Sequence, residues 1–351
     1  MIAATSSTGA TATMAAPTGV ERAARLRRRL AAGGPLGRAS IGTVPILWNN
    51  VDIAELRLGT DAATILDDIA RTGYVGCQLG LGFPEGDDLR LALASRDLRL
   101  AEVYASIPAT VEGPTAGAID EVRDRLRLLR TGGGEVLCIA FDATPDRDRS
   151  AGRASDPATP RLTDAGWTRT IELLDTIAAE TRAAGARIAF HPHAGTYIET
   201  PDEVERLAGA IDAATLPFCL DVGHYLVGGG NPVDALRRFA ERVEHVHLKD
   251  VDPDVLDGLR HGTVGGFRGA IQGRLFTELG SGVLDLDGVL AVLAEHRYAG
   301  WLMVEQDSGW PPPAESAAIG RRVLAAALRR LAAAGAGGAL VAADRSNGVD
   351  R

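Results

Sequence analysis

The sequence predicts an α/β chain folded as a (β/α)₈ barrel, and three observations carry that expectation. Short apolar stretches alternate with longer amphipathic ones, the alternation recurs eight times, and histidines and acids gather where the later apolar stretches end. Apolar strands linked by amphipathic helices require a parallel sheet covered by helices, and eight repeats suit a closed barrel better than an open sheet. Barrels of this kind reach the 351 residues of this chain as one domain.

The units follow one another without a gap in the pattern. IGTVPILW precedes the helical DAATILDDIARTG, YVGCQLG precedes DDLRLALASRD, LRLAEVYA precedes AIDEVRDRLRLLRTGG, and EVLCIAF precedes LTDAGWTRTIELLDTIAAETRAAG. In the second half ARIAFHPH leads to TPDEVERLAGAIDAA, PFCLDVG to NPVDALRRFAERV, EHVHLKD to LDLDGVLAVLAEHR, and GWLMVEQD to AESAAIGRRVLAAALRRLAAAG. Gly73 and Gly185 close two helical stretches, where a left-handed residue stops a helix before the chain turns into a strand. The longest interruptions, 143–160 and 250–282, follow the fourth and seventh strands, which places them at the C-terminal mouth where barrel active sites are built.

Residues 1–36 are Ala, Thr, Ser and Gly rich and then Arg rich, and are expected to form a flexible arm; 37–335 form the single catalytic barrel domain; 336–351, Gly and Ala rich and then polar, form a flexible tail. Hydrophobic residues make up 46% and charged residues 24%, the balance of a soluble globular protein. A net charge of −9 speaks against nucleic acid or an anionic membrane as partner and for a small, weakly charged substrate. Cys77, Cys138 and Cys219 lie inside apolar runs, odd in number and without CxxC pairing, which fits a reduced, cytoplasmic protein. The opening MIAATSSTGATATMAAPTG lacks a basic leader and a continuous apolar core, and no run of 18 apolar residues follows elsewhere, so the expected location is the cytoplasm. Homo-oligomerisation is left open.

Four strand ends carry the candidate chemistry. His191 and His193 end the fifth strand, Asp221 the sixth, His247 the seventh and Glu305 the eighth. Nitrogen and carboxylate oxygen converging from separate strands is what a divalent cation needs, because one short segment cannot wrap an ion at the right angles. His191 and His193, two apart, share a face of an extended strand, so either can supply the fifth-strand ligand; His245 and His247 repeat the spacing. Asp221 follows four apolar residues and reads either as a ligand or as the cap of a turn in DVGH. His224 stands three residues on, beside the metal or the substrate. Lys249 at the seventh strand end is either a general acid or base or a surface partner of Asp250. On the first two strands Trp48, Asn49, Asn50 and Gln78 suit a polyhydroxylated ring, aromatic face against C–H and amides against hydroxyls, although Trp48 can equally plug the barrel. GGGNP at 228–232 lacks the features of a phosphate loop.

With these residues in place, the chain resembles the xylose isomerase-like TIM barrel (sugar phosphate isomerase/epimerase) superfamily, and within it most closely the inosose dehydratases, which act on 2-keto-myo-inositol. The resemblance spans roughly 40–333 and is carried by FHPHAGTYIET, LDVGHYLVGGGNP, VEHVHLKDV, FTELGSGVLDLDGV and YAGWLMVEQD. It implies a bound divalent ion, Mn²⁺ or Co²⁺ or else Mg²⁺ or Zn²⁺, with ligands from the ends of the fifth to eighth strands: His191, Asp221, His247 and Glu305, with His193 in reserve. Related epimerases often carry glutamate where His191 stands. Inosose dehydratases usually read W-x-N-D-D where this chain has WNNVD, and carry an acid at Gln78 and a lysine at Gly82, so the substrate implied is a keto-cyclitol or a related keto-sugar.

The chemistry implied is lyase chemistry: an ion on the substrate ketone acidifies the neighbouring C–H through an enediolate, and loss of a β-hydroxyl then dehydrates the substrate. Glu305, His224, Lys249 and His193 are the candidate catalytic groups. Reprotonation of the same enediolate would instead make the chain a sugar or cyclitol isomerase or epimerase. A DNA-repair endonuclease barrel needs more histidine than the seven present and a basic surface, and a scaffold barrel would not need the ligand set.

Overall fold

In the computed structural model the described residues are 34–153 and 156–346. Eight parallel strands close into a barrel: β1 (Ser40–Thr43), β2 (Gly76–Gln78), β3 (Arg99–Ile107), β4 (Val136–Phe141), β5 (Arg187–Phe190), β6 (Phe218–Asp221), β7 (Val243–Leu248) and β8 (Trp301–Val304). Each pairs with its neighbour in sequence, and β1 pairs with β8 to close the ring. Between them lie α1 (Ala62–Thr72), α2 (Gly86–Ala94), α3 (Ala118–Gly132), α4 (Asp164–Ala183), α5 (Pro201–Ala210), α6 (Pro232–Phe239) and α7 (Leu286–Glu295), and α8 (Pro313–Ser346) follows β8. The eight expected units are therefore the eight observed ones.

Local sequence explains the boundaries. Asp61 caps α1 by accepting from the Thr64 amide, and Gly73 ends it at φ 87°, a left-handed conformation that costs glycine nothing. Thr200 and Glu203 form a reciprocal capping box at the start of α5. Strand β4, VLCIAF, is buried along its whole length because helices cover one face and the barrel interior the other. The main core packs helices against the barrel wall, and Ala101, Trp301, Met303, Val44 and Ile46 form a smaller separate cluster.

Of the arm expected at 1–36, residues 1–33 lie outside the described residues; Leu36 packs into the main core. The backbone of α8 stays helical to Ser346, well into the stretch expected as a tail, consistent with the helix propensity of its alanines.

The described parts of the two long interruptions meet above the mouth. Ala151, from the loop after β4, packs with Val251, Leu256, Leu259, Phe267, Ile271 and Phe276, from the insertion after β7, and Ile53 joins them from the loop after β1. This second apolar cluster is a cap over the C-terminal end of the barrel. It is pinned by Arg147, fully buried, which grips Glu203 through two hydrogen bonds of 2.8 and 2.9 Å and lies 3.6 Å from Glu199. Glu199 in turn accepts from the amides of Gly152 and Gly195, so one ion cluster ties the loops after β4 and β5 together. Removing one partner of a buried pair leaves an uncompensated charge, so Arg147→Met is expected to lower the unfolding free energy by about 3–5 kcal/mol. Denaturant unfolding measures it, and a loss below about 1 kcal/mol would mean that the cluster is solvated.

Candidate metal centre

Strand register sets the inner face in layers. Residues two apart on a strand share a face, so His245, His247 and Lys249 climb the interior in steps. His247 lies in register with Asp221 on β6 and with Met303 on β8, and Glu305 follows β8 with its amide on the Leu248 carbonyl. On the far side, the amide of His191 is held 2.7 Å from the Ile139 carbonyl just past the end of β5. Four side chains distant in sequence thus meet at the top of the barrel.

Asp221 Oδ2 is 3.7 Å from both His191 Nε2 and His247 Nδ1, and Glu305 Oε2 is 2.6 Å from His247 Nδ1. His191, Asp221 and His247 each offer a ligand atom within 4.8 Å of the others. Ligand atoms each about 2.1 Å from one ion lie about 3–4 Å apart, the spacing of Asp221 from His191 and His247; Glu305 Oε2 stands closer to His247 than that and, among the described residues, joins none of the metal-capable groups. His191 Nδ1 is 2.9 Å from the Pro192 carbonyl, which can only accept, so Nδ1 carries the ring proton and Nε2 presents a lone pair. Asp221 Oδ2, His247 Nδ1 and Glu305 Oε2 are buried and make no hydrogen bond. Acceptors facing acceptors in a buried space fit a cation between them. The residues present therefore suit a divalent ion.

Electrostatics agree. Burial would favour the neutral His247 ring, but Cys219, Glu102 and Glu305 outweigh it and hold its pKa well above the ordinary value. Burial also opposes charge on His191, yet the Asp221 carboxylate beside it outweighs burial and raises its pKa. Burial pushes Glu305 up, and Lys249 and His247 override it, leaving the carboxyl at about 2. Asp307 goes the other way, to about 7, because burial and Glu305 together outweigh Lys249.

Lys249 is buried in the middle of this set. Its Nζ lies 2.9 Å from Glu305 Oε1, 2.8 Å from Asp307 Oδ1, 3.1 Å from His224 Nε2, and 4.4 Å above the Phe276 ring. Burial disfavours its ammonium, but Asp307, Glu305 and Asp221 keep it charged. Gly223 lets it lie there: a Cβ at that position would stand 2.8 Å from the Lys249 Cβ. Asp250 is not its partner. That carboxylate instead accepts from the amides of Val251, Gly280, Gly282 and Leu284, which shapes the loop before α7.

The remaining expected residues are placed as follows. Asp221 is cap and cavity residue at once: Oδ1 accepts from the His224 amide at the start of the Val222–Val227 helix, and Oδ2 faces the centre. His224 Nδ1 accepts from the Ala194 amide, and burial, with His193 and Lys249 adding to it, drives its pKa well down. His193 lies past the strand end, so it does not share a strand face with His191; its ring stacks on His224 at 3.7 Å, and burial, then His191 and Lys249, lower it to about 3. Among the described residues it belongs to none of the metal-capable groups.

Trp48 is buried in the main core, with its indole N–H on Asp68 of α1. The amides of Asn49 and Asn50 are spent on backbone, the first on Thr60 and the second on Asp307, Asp52 and Ile53; they shape the loop after β1 instead of reaching into the cavity. Gln78 sits half-buried at an irregularity between β2 and β3. Two acids at the centre were not singled out from the sequence. Glu102 is buried on β3 between His245 and His247, at 3.1 and 3.0 Å, and Asp307 holds Lys249. Glu102 had a signal, a lone acid inside the largely apolar run RLAEVYASI.

The sequence profile described as Xylose isomerase-like TIM barrel matches residues 57–327. The chain belongs to this family. An inosose dehydratase of Geobacillus kaustophilus is 32% identical, the match covering 76% of this chain and 87% of that one; another, of Bacillus licheniformis, is 30% identical over 82% and 96%. Among solved structures the chain is similar to the IOLI protein with a bound zinc atom, at TM-score 0.63 and 13% identity, covering 83% of this chain and 99% of that one, a likeness of fold.

A raised His247 pKa means that a cation must displace a proton from this ring near neutrality. Affinity for Mn²⁺ or Co²⁺ should therefore rise with pH, by about tenfold per unit for each proton released. Calorimetric titration across pH 6–8 reads this slope. A pH-independent affinity would show that His247 is not a ligand.

Proposed function

We propose that this protein is a divalent-metal-dependent dehydratase acting on a keto-cyclitol such as 2-keto-myo-inositol, or on a closely related keto-sugar. The observation that carries the reading is the convergence of His191, Asp221, His247 and Glu305 as buried, mutually facing acceptors, with a proton-bearing pair, Lys249 and His224, immediately beside them. Family membership and the curated inosose dehydratases aligned over most of the chain support the substrate class. Mn²⁺ or Co²⁺ is the ion we favour; the oxygen and nitrogen donor set also accepts Zn²⁺ or Mg²⁺, and the zinc of the IOLI structure supports a site of this kind in the fold. A cytoplasmic location fits the buried free cysteines.

A bound ion would supply electrophilic polarisation of the substrate ketone. The protein does the rest. Dehydration takes one proton from the carbon beside the ketone and gives one to the departing β-hydroxyl, so that water leaves. Ala194 occupies His224 Nδ1, which puts the ring proton on Nε2, 3.1 Å from the Lys249 ammonium, so both groups present protons on the side of the departing hydroxyl. Glu305 Oε1 and Asp307 Oδ1 aim the ammonium, and the apolar cap excludes bulk water. His193, stacked on His224, fixes its ring plane.

The test is incubation with Mn²⁺ and 2-keto-myo-inositol, following dione absorbance. Dione formation is expected, and His224→Gln should lower kcat by about 10²-fold or more while metal content is kept. Solvent deuterium entering the substrate without loss of water would replace this reading with an isomerase or epimerase acting through the same centre.

A further inference from the structure

One layer below the four converging groups lies a carboxylate that the proposed reaction does not use. Glu102 sits in the middle of β3 with no exposed surface. Its Oε1 is 3.0 Å and its Oε2 3.1 Å from His247 Nε2, and Oε2 is also 3.1 Å from His245 Nε2. An acid buried inside a barrel is costly unless something requires it, because water no longer stabilises its charge.

The contact decides which nitrogen of His247 faces the centre. A neutral imidazole carries its proton on either nitrogen, and a carboxylate within hydrogen-bond reach of Nε2 selects the form in which Nε2–H donates. Nδ1 is then left as a lone pair, and Nδ1 is the atom that lies 2.6 Å from Glu305 Oε2 and 3.7 Å from Asp221 Oδ2. We propose that Glu102 is the positioning residue of the metal centre, setting the tautomer and ring orientation of His247 and making Nδ1 a stronger donor to the cation. His245 Nε2 lies 3.1 Å from Oε2, on the side of the carboxylate away from the centre.

This inference rests on the metal-dependent reading above and adds to it a residue that touches neither ion nor substrate. Glu102, His245 and His247 could themselves surround a cation, but both Nε2 nitrogens would then have to be stripped of protons, and His247 would bridge two cations. The donor pattern favours the hydrogen-bonded arrangement.

Two variants of the full chain test it: Glu102→Gln, which keeps the shape and one acceptor but loses the charge, and Glu102→Met, which loses both. Co²⁺ is titrated into each metal-free protein by calorimetry and by its visible d–d spectrum, with metal-free melting temperatures measured alongside. Wild type should bind one Co²⁺ per chain. The Gln variant should bind about tenfold more weakly and the Met variant about 100-fold, with an altered d–d spectrum. A purely structural role would lower the melting temperature and leave affinity and spectrum unchanged at a temperature where the variants are folded; that result overturns the proposal. Should the Met variant not fold, the Gln variant alone decides. Two Co²⁺ per wild-type chain with one lost in the variants would make Glu102 a ligand and also overturn it. A wild-type chain that binds no Co²⁺ sinks the metal-dependent reading itself, an outcome distinct from failure of the Glu102 assignment.

Discussion

Closing eight parallel strands brings electron-rich atoms from four of them into one buried space, where Asp221 Oδ2, His247 Nδ1 and Glu305 Oε2 face one another. The register makes this unavoidable: Asp221 and His247 are cross-strand partners, and Glu305 continues the strand on the other side of His247. A folded protein tolerates such an arrangement only when a positive charge is shared among the acceptors. Lys249 supplies part of that charge from the side, and the raised proton affinities of His191 and His247 mark where more is wanted. The barrel's shape and the centre's chemistry are thus one constraint seen at two scales.

The fold was legible because both of its periods are written in the chain. A short, mostly apolar strand of three to nine residues and then an amphipathic helix, eight times over, leave little choice of architecture. His191, Asp221, His247 and Glu305 were legible for a related reason: each is a polar side chain at the end of an apolar strand, where polarity needs a cause. Legibility failed where the chain leaves regular structure. Beyond Phe190 the backbone no longer alternates, so strand logic could not tell His191 from His193. Asn49 and Asn50 looked like substrate contacts because an amide at a barrel mouth is ambiguous; only the backbone path shows their hydrogen-bonding capacity consumed by Thr60, Asp307 and Ile53.

Lys249 and Asp250 illustrate a different limit. Adjacent opposite charges invite pairing, yet neighbours on a strand point to opposite faces, one inward to Glu305 and Asp307 and the other outward to four backbone amides of the loop before α7. Glu102 escaped notice because it stands in mid-strand, away from the mouth where function was sought, although a solitary acid among aliphatic residues was itself a signal.

The apolar cap has a kinetic corollary. Asp221, His247 and Lys249 expose 2% or less of their surface beneath Ile53, Phe267 and Phe276, so no ring the size of a sugar can touch them while those side chains stay packed. Traffic in and out must wait for the loops after β1, β4 and β7 to part. Turnover is then capped by the frequency of that parting, and a faster chemical step alone could not raise it.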